Sequence, residues 1–137
     1  MVFFQWTDDM RVGNGLIDQD HLELVTLVNE LYEAARAGKS ESQIAITLQK
    51  LFTYTQEHFQ REELLMEHIH YSEIAEHKEQ HQKLIDQVLV LQNALSRGRG
   101  EVASSTAELL RYWLLHHIQR TDKKLATAIQ LAGLPDL

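Results

Sequence analysis

The apolar residues between positions 44 and 65 recur at alternating spacings of four and three, the pattern of one buried face of a long α-helix. The positions on this face are Ile44, Leu48, Leu51, Thr55, His58, Glu62 and Leu65. A histidine and a glutamate, one turn apart, therefore belong to a face that should be buried. An unpartnered polar group in a core costs roughly 1–3 kcal/mol, and a charged group costs more. The rest of the chain must supply partners for His58 and Glu62.

Three other segments show the same helical periodicity. Their inward positions are Ile17, His21, Leu24, Val28, Leu31 and Ala35; Ile74, His77, His81, Leu84, Val88, Leu91 and Leu95; and Ala103, Ala107, Leu110, Leu114 and His117, followed by Asp122, Leu125 and Ile129. All six glycines and the single proline lie between or outside these segments, which indicates four long helices. A chain of 137 residues forms one core. We predict an all-α protein of one domain: an up-down-up-down antiparallel four-helix bundle over 16–137, with an extended, core-covering N-terminal arm over 1–15.

Capping residues indicate where three of the helices begin. Asp18 is the candidate for the first helix, Ser40 (with Gln43 three residues later) for the second, and Ser72 for the third. We expect the second helix to end near residue 67 and the fourth to run over 101–131.

The fourth segment departs from regular helical spacing between His117 and Asp122. At about 100° per residue, a step of five residues places two side chains ~140° apart on an ideal α-helix. If both point inward, one extra residue must be accommodated between them. We therefore predict a π-bulge here, a feature that is frequent at functional sites.

Composition excludes several classes of protein. Cysteine is absent, so disulfides, thiolate metal sites and thiol catalysis are excluded. A formal charge of −7 argues against binding to nucleic acid or to an anionic membrane surface. No stretch reaches the ~20 apolar residues of a membrane span, and the first residues do not have the pattern of a signal peptide. We expect a cytoplasmic protein.

Each predicted helix directs at least one imidazole or carboxylate inward, and antiparallel order places them at one height. The set is His21, His58, Glu62, His77, His81, His117 and Asp122. Without a metal, these groups would cost an apolar core several kcal/mol. Imidazole and carboxylate ligands without thiolate suit iron, zinc, copper or manganese. Seven ligands exceed what one ion accepts, so two ions are predicted; two bridging carboxylates and one bridging oxygen would leave one coordination position free.

These residues and their spacing resemble the hemerythrin family, specifically its single-domain bacterial members. The resemblance covers almost the whole chain: Trp6, Val12-Gly13, Ile17-Asp18, His21, His58-Phe59, Glu62-Glu63, Met66, His77-x-x-x-His81, Trp113-Leu114, His117-Ile118 and Asp122. It implies a protein that is not an enzyme but binds O2 reversibly at two non-haem iron ions. By analogy, His77, His81 and His117 hold one iron, and His21 and His58 hold the other, which has the free position. Glu62 and Asp122 bridge the irons beside an oxo or hydroxo group.

The resemblance also suggests what surrounds the bound oxygen. Peroxide can leave only if protons and water reach it, so the pocket should be dry and apolar. The expected lining is Leu24, Phe59, Trp113, Leu114 and Ile118. Small anions would take the place of O2 in the diferric form, and we expect a monomer.

Two other functions are compatible with the same residues. One is an O2 or redox sensor that acts through a separate partner. The other is a di-iron oxidase or iron-handling protein. This function is less favoured, because the sites of such proteins are dominated by glutamate. The remaining histidines, His68, His70 and His116, are expected at the surface or in loops.

Overall fold

The computed structural model describes residues 2–99 and 102–133, and every regular secondary-structure element in this part of the chain is a helix. The helices are α1 (Gly15–Arg36), α2 (Glu41–His68), α3 (Ile74–Ser96), α4 (Val102–His116) and α5 (Lys123–Leu131), and a π-helical segment (His117–Asp122) joins the last two. Because α4, the π-helical segment and α5 follow one another without a break, they act as one fourth helix. Each helix packs against its neighbours in the chain, and α1 also packs against α4. The predicted all-α four-helix bundle is confirmed.

The first helix begins earlier than predicted. The N-cap of α1 is Asn14, whose side chain accepts a hydrogen bond from the Ile17 amide at 3.1 Å. The prediction of Asp18 as the cap was wrong. Asp18 lies in the first turn, where its carboxylate accepts a hydrogen bond from the Val12 amide at 2.8 Å and so fixes the end of the arm to the helix.

The other predicted helix boundaries were partly correct. Ser40 caps α2 and accepts a hydrogen bond from the Gln43 amide at 3.2 Å. Ser72 does not cap α3, because the helix starts one residue later, after Glu73. The predicted start of the fourth helix at residue 101 lies outside the described residues. Near the end of α2, Met66 is fully buried and Leu65 only half-buried, since Met66 lies one turn beyond Glu62.

The core consists of two apolar clusters with the polar residues between them. The larger cluster contains Leu24, Phe59 and Ile118, and the smaller contains Ile17, Met66, Leu125 and Ile129. Along α1, His21 stands between Ile17 and Leu24, and the other helices show the same order. The inward histidines and carboxylates thus form one layer across the bundle.

The N-terminal arm packs on the bundle as expected. Phe4 is buried, and its backbone N–H and C=O are both paired with the Asn29 side chain at 2.8 Å. Phe3 stacks on Tyr32 with ring centroids 3.9 Å apart. Met10, in a short 3-10 turn, is buried in the larger cluster. None of the helices in the described part of the chain has the length and apolarity needed to cross a membrane.

Candidate metal centre

The π-helical segment places two inward groups of the fourth helix side by side. Bonding from i to i+5 makes residues five apart neighbours, as i to i+4 bonding does for residues four apart in an α-helix. His117 Nε2 lies 3.0 Å from Asp122 Oδ1 as a result. The predicted π-bulge is therefore confirmed.

The structure brings all seven predicted residues together in one buried layer. They form two groups, within each of which the potential ligand atoms lie within 4.8 Å of one another. One group contains His77, His81 and His117, the other contains His21 and His58, and both contain Glu62 and Asp122. This is the grouping that two bridged ions require, and the ligand roles themselves stay a prediction.

Each carboxylate directs one oxygen to each group of histidines. Glu62 Oε1 lies 3.2 Å from His77 Nε2 and 3.0 Å from His81 Nε2. Its other oxygen, Oε2, lies 3.0 Å from His58 Nε2 and 3.7 Å from His21 Nε2.

Asp122 repeats this division of its two oxygens. Oδ1 lies 3.1 Å from His77 Nε2 and 3.0 Å from His117 Nε2, whereas Oδ2 lies 2.8 Å from His21 Nε2. Both carboxylates are thus oriented as two bridges between the groups.

Many polar atoms of this layer have no hydrogen-bond partner. Within the described residues, the buried atoms in this state are His21 Nδ1 and Nε2, Glu62 Oε2, His77 Nδ1, His81 Nε2, His117 Nε2 and both Asp122 carboxylate oxygens. Several of them lie close to one another, but not at angles that make hydrogen bonds. Most face the centre of the layer, and nitrogen and oxygen lone pairs converging there are what a cation requires. The residues present therefore fit a pair of metal ions.

Charge in the layer also favours cations. Burial by itself raises the pKa of Glu62 and Asp122, but the surrounding imidazoles hold both pKa values well below their usual range. Burial lowers the pKa of His58, yet Glu62 and Asp20 together raise it to about 10. Two ionised carboxylates thus attract positive charge, which protons supply in the metal-free protein. Metal binding would displace those protons.

Three of the five histidines are held from outside the layer. His58 Nδ1 donates to Asp20 at 2.9 Å, His81 Nδ1 to Glu63 at 3.0 Å, and His117 Nδ1 to Gln80 at 2.9 Å. Such bonds fix the tautomer and leave each Nε2 free to bind metal.

Sequence reasoning did not assign these three outer partners. Asp20, Glu63 and Gln80 each stand next to a predicted ligand in the sequence, which was the one signal present. Adjacency alone does not show which histidine each partner meets, because neighbouring residues of a helix point in different directions.

The five predicted pocket residues belong to, or pack against, the larger apolar cluster. Leu24, Phe59, Leu114 and Ile118 are buried, and Trp113 is half-buried. The nearest ring contacts of the two aromatic residues are to the three-histidine group. Phe59 stacks on His81 with centroids 3.7 Å apart, and Trp113 stacks on His117 at 4.3 Å.

The remaining histidines take no part in the layer. His68 and His70 are exposed, and His116 is half-buried. The His116 Nδ1 lies 2.8 Å from the Tyr112 carbonyl oxygen, one turn earlier on the same helix. The expectation that these three lie at the surface or in loops is confirmed for His68 and His70.

The comparisons with a family model and with known sequences point to the same family. The model of the hemerythrin HHE cation-binding domain matches residues 12–129. A bacteriohemerythrin of Methylococcus capsulatus is 33% identical over 124 residues, which are 90% of this chain and 94% of that protein. A bacteriohemerythrin of Pseudomonas aeruginosa is 32% identical over 130 residues, which are 95% of this chain and 84% of that protein.

Solved structures agree with the sequence comparison. A crystal structure of wild-type hemerythrin superposes with a TM-score of 0.87 at 31% identity and covers 93% of this chain and 98% of that one. A leucine mutant described as L114A superposes with a TM-score of 0.88. On its sequence, its fold and its layer of histidines and carboxylates, this chain belongs to the hemerythrin family.

Proposed function

We propose that this protein binds O2 reversibly at a pair of non-haem iron ions bridged by Glu62, Asp122 and an oxo or hydroxo group. The observation that carries the proposal is the division of each carboxylate's oxygens between the two histidine groups. A single-metal site would need no such division. The site contains five imidazoles and two carboxylates, and the chain belongs to the hemerythrin family. Both facts favour an iron site that binds oxygen reversibly over one that oxidises a substrate.

The side chains assign different tasks to the two groups. His77, His81 and His117 would complete the coordination of one ion together with the bridges. His21 and His58 supply one imidazole fewer, so a free coordination position would fall to the ion that they hold. Once loaded, the iron pair supplies the two electrons that reversible O2 binding requires.

The surrounding apolar residues control what else reaches the pair. Leu24 follows His21 by one turn and is fully buried, as is Ile118. Leu114 is buried in the same cluster. These aliphatic side chains carry no proton to donate and exclude water, which are the two conditions that keep oxygen from leaving as peroxide. No catalytic turnover is part of the proposal, and cytoplasmic location and the monomeric state stay predictions.

The test combines a metal count with repeated oxygenation. Protein reduced without air should contain two irons per chain, develop visible absorption on exposure to O2 and return to the starting spectrum when O2 is removed. The matched variants are His58→Ala, which removes a proposed ligand, and His68→Ala, which removes an exposed histidine of the same helix. Oxygen binding should be lost in the first and kept in the second.

Two results would contradict the proposal. A colourless protein that holds zinc and does not respond to O2 would remove the oxygen-binding function. Continuous consumption of reductant and O2 without return of the starting spectrum would indicate an oxidase instead.

A further inference from the structure

Asp20 is a buried carboxylate outside the proposed ligand set. It lies on α1 directly before His21 and is 4% exposed. Its Oδ2 accepts hydrogen bonds from His58 Nδ1 at 2.9 Å and from Arg61 Nε at 2.8 Å. Its Oδ1 accepts from a terminal nitrogen of Arg61 and from the Tyr54 hydroxyl, both at 2.8 Å. Asp20 therefore joins α1 to three residues of α2.

This contact differs from the other outer bonds to the histidines. Gln80, which accepts from His117, is neutral, and the Glu63 side chain, which accepts from His81, is 29% exposed. Among the described residues, Asp20 is the outer partner that is both charged and buried. In the two-histidine group, His21 Nδ1 has no hydrogen-bond partner. Among the described side chains, the outer hydrogen bond of this group is therefore the one from His58 to Asp20.

Arg61 balances the charge of Asp20. The guanidinium bonds to both carboxylate oxygens, the two-pronged geometry that makes arginine–carboxylate pairs strong. It also lies over the Tyr54 ring, 5.4 Å from the ring centre, while its side chain stays 34% exposed. The arrangement places a negative charge against His58 and a positive charge immediately behind it.

From this geometry we infer that Asp20 positions His58 and that Asp20 and Arg61 together set how strongly His58 donates electrons to its iron. The inference rests on the proposed function. Hydrogen bonding to a carboxylate raises the basicity of a metal-bound imidazole, and a more basic ligand stabilises the oxidised metal. Arg61 weakens that effect because it shares the carboxylate. Asp20 and Arg61 are thus positioning residues with opposite influences on the midpoint potential of the iron pair.

The experiment measures the midpoint potential of the iron-loaded protein in two variants of opposite charge change. Asp20→Asn keeps a hydrogen-bond acceptor for His58 but removes the negative charge, so the potential should rise. Arg61→Gln removes the positive charge and leaves the carboxylate uncompensated, so the potential should fall. Each change should alter the ratio of oxidised to reduced protein at a fixed potential by roughly fivefold or more. Arg61→Lys keeps the charge and should remain close to the wild type.

The controls separate a charge effect from general disturbance. Glu79→Gln and Lys83→Gln make the same charge changes in an exposed ion pair of α3, whose side chains are 68% and 70% exposed, and should leave the potential unchanged. If Asp20→Asn and Arg61→Gln shift the potential in the same direction, or no further than these controls, the inference is wrong. A purely structural role would produce that common shift.

A second measurement tests the positioning of His58 without redox chemistry. Cobalt(II)-loaded protein is mixed with a chelator and the rate of metal loss is followed. Asp20→Asn and Tyr54→Phe should release cobalt at least severalfold faster than the wild type, whereas unchanged rates would overturn the anchoring role. Failure of the proposed function is distinguishable, because it shows in the wild type as absence of iron or of reversible oxygenation.

Discussion

Removing the metal from the polar layer should destabilise the whole bundle. The layer crosses the centre of the core, between the two apolar clusters. Without cations, Glu62 and Asp122 retain their charges, and the five imidazoles lose the partner toward which their nitrogens point. The perturbation is chelation of the two proposed ions from the metal-loaded protein, followed by measurement of the free energy of unfolding.

The structure sets the magnitude of this effect. Each histidine gives an ion only one nitrogen, so His21 Nδ1 and His77 Nδ1 have no partner whether metal is bound or not. The other six buried atoms without hydrogen-bond partners would each cost roughly 1–3 kcal/mol when the metal is removed, or about 6–18 kcal/mol together. This sum is an upper bound, because nitrogen–oxygen contacts as short as 2.8 Å return part of it as attraction between protonated imidazoles and carboxylates. We expect a net loss of about 5 kcal/mol or more. That is comparable with the entire stability of a small domain, ~5–15 kcal/mol.

Equilibrium unfolding in urea, followed by far-ultraviolet circular dichroism, measures the loss. With a slope of about 1–3 kcal/mol per molar urea, the midpoint should fall by roughly 2 M or more on chelation. Amide hydrogen exchange should accelerate first in the π-helical segment, which carries both His117 and Asp122. Equal midpoints for metal-loaded and metal-free protein would refute the reasoning. As a control, adding metal to a Glu62→Gln, Asp122→Asn double variant should not stabilise it, since both bridging charges are gone.

Three further predictions concern single side chains. Leu114→Ala should admit water to the proposed pocket and speed oxidation to the diferric form, measured as the autoxidation rate; an unchanged rate would argue against a gating role. Asn29→Ala removes both 2.8 Å hydrogen bonds to the Phe4 backbone and should cost about 1–3 kcal/mol in urea unfolding, whereas a loss near zero would mean that the arm is held by its apolar contacts alone. Ser40→Ala removes the cap of α2 and should cost about 0.5–2 kcal/mol, with Ser40→Asp close to the wild type as the matched replacement.

The helices and the composition of the polar layer could be predicted because both depend on spacing along one helix. Apolar residues at intervals of three and four define an inward face whatever the neighbouring helix contributes. Histidines and carboxylates on that face are conspicuous because burying them without partners is costly. The π-bulge followed by the same logic, since two inward residues five apart cannot share a face of a regular α-helix.

The sequence pattern did not decide between two residues of similar chemistry that lie close together in the chain. Asn14 and Asp18 are both good capping residues, and the choice depended on where the arm meets α1. Asn14 caps the helix, which leaves the Asp18 carboxylate to bind the Val12 amide. Leu65 and Met66 are adjacent apolar residues, and how the helices pack decides that Met66 is the one fully buried.

By itself, the sequence determined that four helices place five imidazoles and two carboxylates at one level of a core. Only the tertiary structure decided how each carboxylate divides its oxygens, and which outer residues hold the histidines. The bonds from Asp20 to His58 and Arg61 join residues 38 and 41 positions apart, on two different helices. Such contacts depend on the relative rotation and height of packed helices, which spacing within one helix cannot specify.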